Sequence, residues 1–275
     1  MTFDLGPALL FCPADRPEWY GKAADRADAV VLDLEDAVAP ADRPAARSAI
    51  IEHPLDPSTT MVRVNEAGSA DFAEDLVALA RTPYRMVMLP KAAASDQLRM
   101  LESFEVVALC ETAAGVLAAA ELAAYPGVVA LMWGAEDLVA SLGGTSSRFG
   151  DGTYRDVARH ARSAVLLAAA AHGKAAVDTV HLDIADLDGL GAEARDAAAV
   201  GFAATACIHP GQVETIRAAY APTDAEVAYA RDVLAAAVGT NGVFRFRGHM
   251  VDSPVLRHAE HTLRRAGLQP IQRVE

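Results

Sequence analysis

Two acids give the first hint of chemistry in this sequence. Glu111 closes the apolar run Val106-Val107-Ala108-Leu109-Cys110, and Asp137 follows the run Val128 to Trp133 by way of Gly134, Ala135 and Glu136. Short apolar runs flanked by Gly or Pro are the pattern of parallel strands buried on both faces. Between them, Leu117 to Ala124 is rich in strong helix formers, and Pro126 with Gly127 stops the helix. The stretch therefore reads as one βαβ unit with its acids at the strand ends, the face on which parallel α/β barrels keep their chemistry. Two carboxylates held a few ångströms apart repel each other unless a cation lies between them. Mg²⁺ fits best, because it takes a few carboxylates and leaves other positions to water and substrate oxygens. The alternative is that Glu111 and Asp137 are ordinary loop acids of an acidic chain.

Other chemistry-bearing residues fall at similar places. Phe11-Cys12-Pro13-Ala14-Asp15-Arg16-Pro17-Glu18 ends a first apolar run and starts a helix at Pro17. Arg16 and Lys22 can then share one rim of the mouth and suit a phosphorylated ligand, or form a solvated surface pair. Asp33-Leu34-Glu35-Asp36 sets three acids at the end of a second run. Glu35 and Asp36 could hydrogen-bond the waters of a metal, or Asp36 could cap the next helix. Arg63 and Asn65 alternate on a third run, which points both into the mouth. There Arg63 could bind a carboxylate or stabilise enolate charge, or simply pair with Glu35. Lys91 after Leu89-Pro90 could form a Schiff base, but a metal and an arginine already supply an electron sink. His209 reads as a hydrogen-bonded structural histidine.

These residues need a scaffold that collects strand ends. Eight β-rich runs alternate with helical patterns: Ala8 to Cys12, Ala29 to Leu34, Met61 to Asn65, Met86 to Pro90, Val106 to Cys110, Val129 to Trp133, Thr179 to Leu182 and Ala204 to Ile208. The alternation predicts an α/β fold, a closed (β/α)₈ TIM barrel, and 275 residues is close to the usual length. An open doubly wound sheet is the rival, but no Gly-x-Gly-x-x-Gly follows the first strand. The sixth crossover carries an insertion and a long helix, Tyr154 to Ala171. After Pro222 the pattern changes to a helix over Thr223 to Val238, a strand-like Val243 to Phe246, a polar turn over Gly248 to Pro254 and a helix over Val255 to Ala266. The expected division is a catalytic barrel, 1–222, and a C-terminal extension, 223–275, serving as lid or oligomer contact.

Composition narrows the partners. The formal charge of −13 argues against a nucleic-acid or anionic-membrane footprint. The three cysteines lie in or beside apolar runs, as buried hydrophobes do, and suit a reducing cytoplasm. The first residues lack a basic stretch ahead of a long apolar one, so neither a signal peptide nor a membrane anchor is expected.

In combination and order the motifs resemble a known family. Leu10-Phe11-Cys12-Pro13 with Asp15-Arg16-Pro17-Glu18, Leu32 to Val38, Val62-Arg63-Val64-Asn65, Leu89-Pro90-Lys91, Glu111-Thr112, Gly134 to Leu138 and Cys207-Ile208-His209-Pro210 are similar to the HpcH/HpaI aldolase and citrate lyase beta-subunit-like family. Within it the chain resembles stand-alone lyases acting on malyl-, citramalyl- or 3-hydroxy-3-methylglutaryl-CoA. The resemblance implies a Mg²⁺-dependent carbon–carbon lyase with metal at Glu111 and Asp137. It implies substrate contacts from Arg63, Glu111 and the stretch Gly134, Ala135, Glu136 and Asp137, and CoA at Phe11, Arg16 and Lys22. The products are then acetyl-CoA, or a close homologue, and a small oxo acid. Gly248 to Pro254 resembles a lid whose aspartate, here Asp252, enters a neighbouring subunit's site as acid/base. That implies a ring-shaped homo-oligomer, a trimer or a dimer of trimers. Two other readings stay open: a pyruvate-type class II aldolase on an oxo acid without CoA, and a citrate lyase beta subunit acting on a citryl-acyl-carrier protein inside a complex.

Overall fold

The computed structural model describes residues 3–240 and 242–269. Eight short strands run in parallel and hydrogen-bond in sequence order until the eighth meets the first, forming a closed (β/α)₈ barrel. They are β1 (Ala8–Pro13), β2 (Ala29–Asp33), β3 (Thr60–Arg63), β4 (Met86–Leu89), β5 (Glu105–Cys110), β6 (Val128–Trp133), β7 (Ala175–Asp178) and β8 (Ala204–Cys207). Helices α1 (Pro17–Arg26), α2 (Arg43–Glu52), α3 (Ala70–Leu79), α4 (Ala113–Ala124), α5 (Ala135–Ser141), α6 (Asp156–Ala171), α7 (Leu187–Val200) and α8 (Val213–Tyr220) follow their strands. The fourth crossover departs from the pattern, with a 3₁₀ segment over Ser95–Leu101 in place of an α-helix.

Closure follows from the residues. Leu9, Val31, Met61, Met88, Leu109 and Met132 fill the barrel interior, while the alternate strand positions are buried beneath the helices. That two-sided burial is why the strands read as continuous apolar runs. β5 and β6 slip register between Val106 and Val107, and Val129 and Ala130, though consecutive, both join the interior cluster. Such a bulge re-aims the rest of its strand. Beyond it Met132 faces inward, and Trp133 is fully buried with its Nε1–H donated to Asp178 Oδ1 at 2.5 Å.

The seventh strand corrects the expectation from sequence. It is Ala175–Asp178, not Thr179 to Leu182, which lies in the loop after it. The β-branched residues at 179 and 180 looked more strand-like, yet the ladder partners of β6 and β8 are Ala175 to Asp178.

Contacts cluster into two units, residues 1–217 and 218–275. Within the second, α9 (Asp224–Ala237) starts with a reciprocal cap between Thr223 and Glu226. It packs with α10 (Ser253–Arg265) through Val233, Leu234, Leu256 and Leu263. Between the helices β9 (Phe244–Phe246) and β10 (His249–Val251) form an antiparallel hairpin whose two turn residues, Arg247 and Gly248, both take positive φ. Of the segment expected as a polar turn, Gly248 to Pro254, His249–Val251 is strand, paired with β9 and with Val251 buried, and Ser253 and Pro254 begin α10.

Candidate active site

Asp33 and Arg63 are the last residues of β2 and β3 and are register partners. Their side chains meet in a two-pronged ion pair, Nε to Oδ1 at 2.7 Å and Nη2 to Oδ2 at 2.6 Å. Arg63 also reaches Glu35 Oε2 at 3.1 Å, and its guanidinium lies 4.8 Å from the centroid of the Phe11 ring. Planar guanidinium against planar carboxylate fixes orientation as well as charge. Burial works against the charged arginine, but Asp33, Glu35 and Glu111 hold its pKa above the ordinary value. The sequence pointed to Glu35 as the salt-bridge partner; Asp33 takes the two-pronged bond and Glu35 adds a second contact.

Arg63 faces a cavity of about 260 Å³ at the C-terminal ends of the strands. Phe11 and Asp36 line it from β1 and the loop after β2. Glu111 enters from the end of β5, and Gly134, Ala135, Glu136 and Asp137 enter from the end of β6. The register sets this meeting: Cys110 pairs with Trp133, so the residues that leave the two strands next are Glu111 and Gly134. A Cβ on Gly134 would sit 2.9 Å from Glu111 Oε2, so the missing side chain is what lets the carboxylate lie there.

The electrostatics concentrate on Glu111. Burial first, then the charges of Asp137 and Glu35, push its pKa up to about 8, against the pull of Arg63 and Lys91. Burial likewise raises Glu35, opposed by Arg63 and by the hydrogen bond from Lys91 Nζ. That bond and the carboxylates around it hold the Lys91 ammonium above its ordinary pKa despite burial. An ammonium so held is a poor Schiff-base nucleophile.

A divalent cation fits the donor set. Glu111 and Asp137 face one cavity, and the charge of Asp137 adds to burial in raising the Glu111 pKa, a repulsion that a cation between the two carboxylates relieves. Among the described residues no group of three His, Cys, Asp or Glu side chains has metal-binding geometry. Two carboxylates with the remaining positions left to water and substrate suit Mg²⁺ better than a metal that needs a full protein cage.

Other expected residues lie elsewhere. Arg16, just ahead of α1, and Lys22, on α1, are exposed and do not line the cavity; Arg16 stands 5.6 Å from the Trp19 ring. Asn65 does not point into the mouth. β3 ends at Arg63, and the Asn65 amide donates to Leu34 O at 3.0 Å and Asp75 Oδ2 at 2.8 Å. His209 accepts from the Gly211 amide at 3.1 Å, a local structural role. In the second unit Asp252 caps α10, its Oδ1 accepting from the Val255 amide at 3.3 Å.

Sequence reading missed the buried Ser147. Its hydroxyl donates to Glu136 Oε1 at 2.5 Å and ties the insertion between α5 and α6 to the cavity wall. Beside it a larger cleft of about 970 Å³ shares Glu136 and Leu182 with the first. Nothing in the spacing of Ser147 signals that bond, since a loop with no periodicity brings it there.

Comparison with known proteins identifies the family. The HpcH/HpaI aldolase/citrate lyase family profile matches residues 8–210. The chain belongs to this family. It is 60% identical over 262 residues to the citrate lyase subunit beta-like protein of Mycobacterium tuberculosis (strain ATCC 25618 / H37Rv), covering 95% of this chain and 96% of that one. It is 33% identical over 298 residues to the L-malyl-CoA/beta-methylmalyl-CoA lyase of Cereibacter sphaeroides (strain ATCC 17025 / ATH 2.4.3), covering 94% and 93%. Its fold superposes with a TM-score of 0.92 on the crystal structure of protein CitE from Mycobacterium tuberculosis in complex with magnesium, acetoacetate and coenzyme A, at 60% identity over 96% of this chain and 98% of that chain. Membership of the HpcH/HpaI family makes this chain a carbon–carbon lyase. Among the described residues no helix is long and apolar enough to cross a membrane.

Proposed function

We propose that this HpcH/HpaI-family lyase cleaves a 3-hydroxyacyl-CoA of the malyl, citramalyl or 3-hydroxy-3-methylglutaryl type to acetyl-CoA, or a close homologue, and an oxo acid. The observation that carries the reading is Arg63. A cation held rigidly by Asp33 and Glu35 faces the same small cavity as two carboxylates suited to Mg²⁺. A substrate with a carboxylate and hydroxyl at one end and a thioester at the other meets a metal site and an arginine in turn.

In this reading Glu111 and Asp137 hold the Mg²⁺. When bound, the ion supplies Lewis acidity to the hydroxyl and carboxylate oxygens of the substrate. Cleavage passes the hydroxyl proton to solvent, breaks the carbon–carbon bond and sends its electron pair into the thioester as an enolate. Arg63 is placed to stabilise that negative charge, and its fixed ion pair spares reorganisation as the charge develops. The Gly134 to Asp137 wall orients the carboxylate end. A proton must then reach the enolate carbon, and Asp252 of a second copy is assigned that step. A cavity of about 260 Å³ takes the acyl portion and leaves the nucleotide outside, where the exposed Arg16 and Lys22 meet its phosphates.

The test is turnover of purified protein with Mg²⁺ against a panel of hydroxyacyl-CoA esters, following acetyl-CoA and oxo acid together. Stoichiometric release of both, abolished by chelator, supports the reading. Cleavage of CoA-free hydroxy-oxo acids with every CoA ester left intact would replace it with the class II aldolase reading.

A further inference from the structure

Among the described residues two that are not glycine have left-handed backbone, Arg247 and Lys91. Arg247 belongs to the hairpin turn, which demands it. Lys91, at φ 51°, directly follows the turn residue after β4. A non-glycine residue in this region is held there by its surroundings, and such residues gather at functional sites.

The surroundings of Lys91 are specific. Its main-chain N–H donates to Glu111 Oε1 at 3.0 Å, and its Nζ bonds Glu35. The next amide, Ala92, donates to Leu109 O at 3.1 Å on the strand that carries Glu111. From the other side α4 presses on the same turn: a Cβ on Gly115 would lie only 2.4 Å from Ala92 O. Glu111 is therefore gripped on Oε1 by Lys91 and given room on Oε2 by Gly134.

We infer that Lys91 is a positioning residue for the metal ligand Glu111: its left-handed backbone aims an N–H at Oε1, fixing the carboxylate so that Oε2 is presented to the cation. The Ala92 amide on Leu109 O and the close approach of α4 at Gly115 hold this backbone conformation, and the Nζ bond to Glu35 is a separate contact. The inference rests on the reading of Glu111 as a ligand for a divalent cation. It differs from a purely ionic role, in which the ammonium matters and the backbone does not.

Mn²⁺ binding to substrate-free protein, read by loss of the free-ion electron paramagnetic resonance signal, separates the two roles. Lys91→Gly and Lys91→Asn lack the ammonium but tolerate positive φ, so they keep Mn²⁺ affinity within about threefold of the natural protein. Lys91→Val cannot hold the conformation and loses about 10- to 100-fold, as orienting partners of metal ligands typically do. Thermal melting of the metal-free variants checks the fold, and if the Val variant does not fold, Lys91→Ala against Lys91→Gly decides in the same direction. Equal affinities across the variants, whether all natural or all weak, overturn the inference while leaving the metal reading intact. Failure of the natural protein to bind Mn²⁺ or Mg²⁺ overturns both.

Discussion

Binding of Mg²⁺ should expel a proton from Glu111. Its metal-free pKa of about 8 leaves the carboxylate ionised in about 1% of molecules at pH 6, about 9% at pH 7 and about 90% at pH 9. A cation takes only the ionised form, so apparent affinity should climb about tenfold per unit below the pKa, roughly 90-fold between pH 6 and pH 9. At pH 7 each ion bound should release about 0.9 proton. Titration calorimetry in two buffers of different ionisation enthalpy, such as PIPES and Tris, reads that number directly. Stability provides a second readout with a definite sign. The folded pKa lies above the ordinary 4.5, so the native state holds more protons than the unfolded chain between about 4.5 and about 8. Metal-free stability should therefore fall as pH rises through that window, by on the order of 5 kcal/mol at the upper limit from this group. Added Mg²⁺ should restore most of the loss. His181, whose pKa is raised chiefly by its hydrogen bond to Glu193, acts with the same sign. Glu111→Gln isolates the effect, since it removes the proton release and leaves the His181 contribution. A Mg²⁺ affinity that stays flat from pH 6 to pH 9, with no net proton release at pH 7, would refute the reasoning.

Three further outcomes are expected. Asp33→Asn breaks the buried pair with Arg63 and should cost about 3 kcal/mol, seen as a lower urea midpoint at unchanged slope; an unshifted midpoint would count against the pair as a structural anchor. Replacing Arg16 and Lys22 together with Ala should raise KM for the CoA ester far more than it lowers kcat, because phosphate contacts persist through the reaction, and undiminished CoA affinity would remove them from that role. Asp252→Ser keeps a helix cap while removing the carboxylate, so it should cripple turnover with little change in melting temperature, whereas Asp252→Ala should add about 1 kcal/mol of destabilisation. Mixing Asp252→Ser with Glu111→Gln subunits should recover activity if lid and metal site come from different copies, and verified mixed oligomers without activity would contradict a shared site.

The barrel and its cast of acids are legible in the amino-acid pattern. Strands buried on both faces must be apolar along their length, so seven of the eight announce themselves, and the residues at or just beyond their ends, Asp33, Arg63, Glu111 and Asp137, are brought to one end by the topology. Family motifs then named a chemistry that composition could not. β7 escaped because Ala175-Ala176-Val177 has weak intrinsic strand preference and is a strand only by its ladder partners. Asn65 was misplaced because alternation predicts direction only while a strand lasts, and β3 stops at Arg63. Which carboxylate grips Arg63, that Lys91 turns its main chain on Glu111, and that Ser147 ties a distant loop to Glu136 were decided by tertiary structure alone. These are contacts between residues separated by between eleven and thirty positions in the chain. Local sequence encodes local conformation, whereas partners across strands are chosen by register, by the bulge in β6 and by the close approach that Gly115 and Gly134 permit.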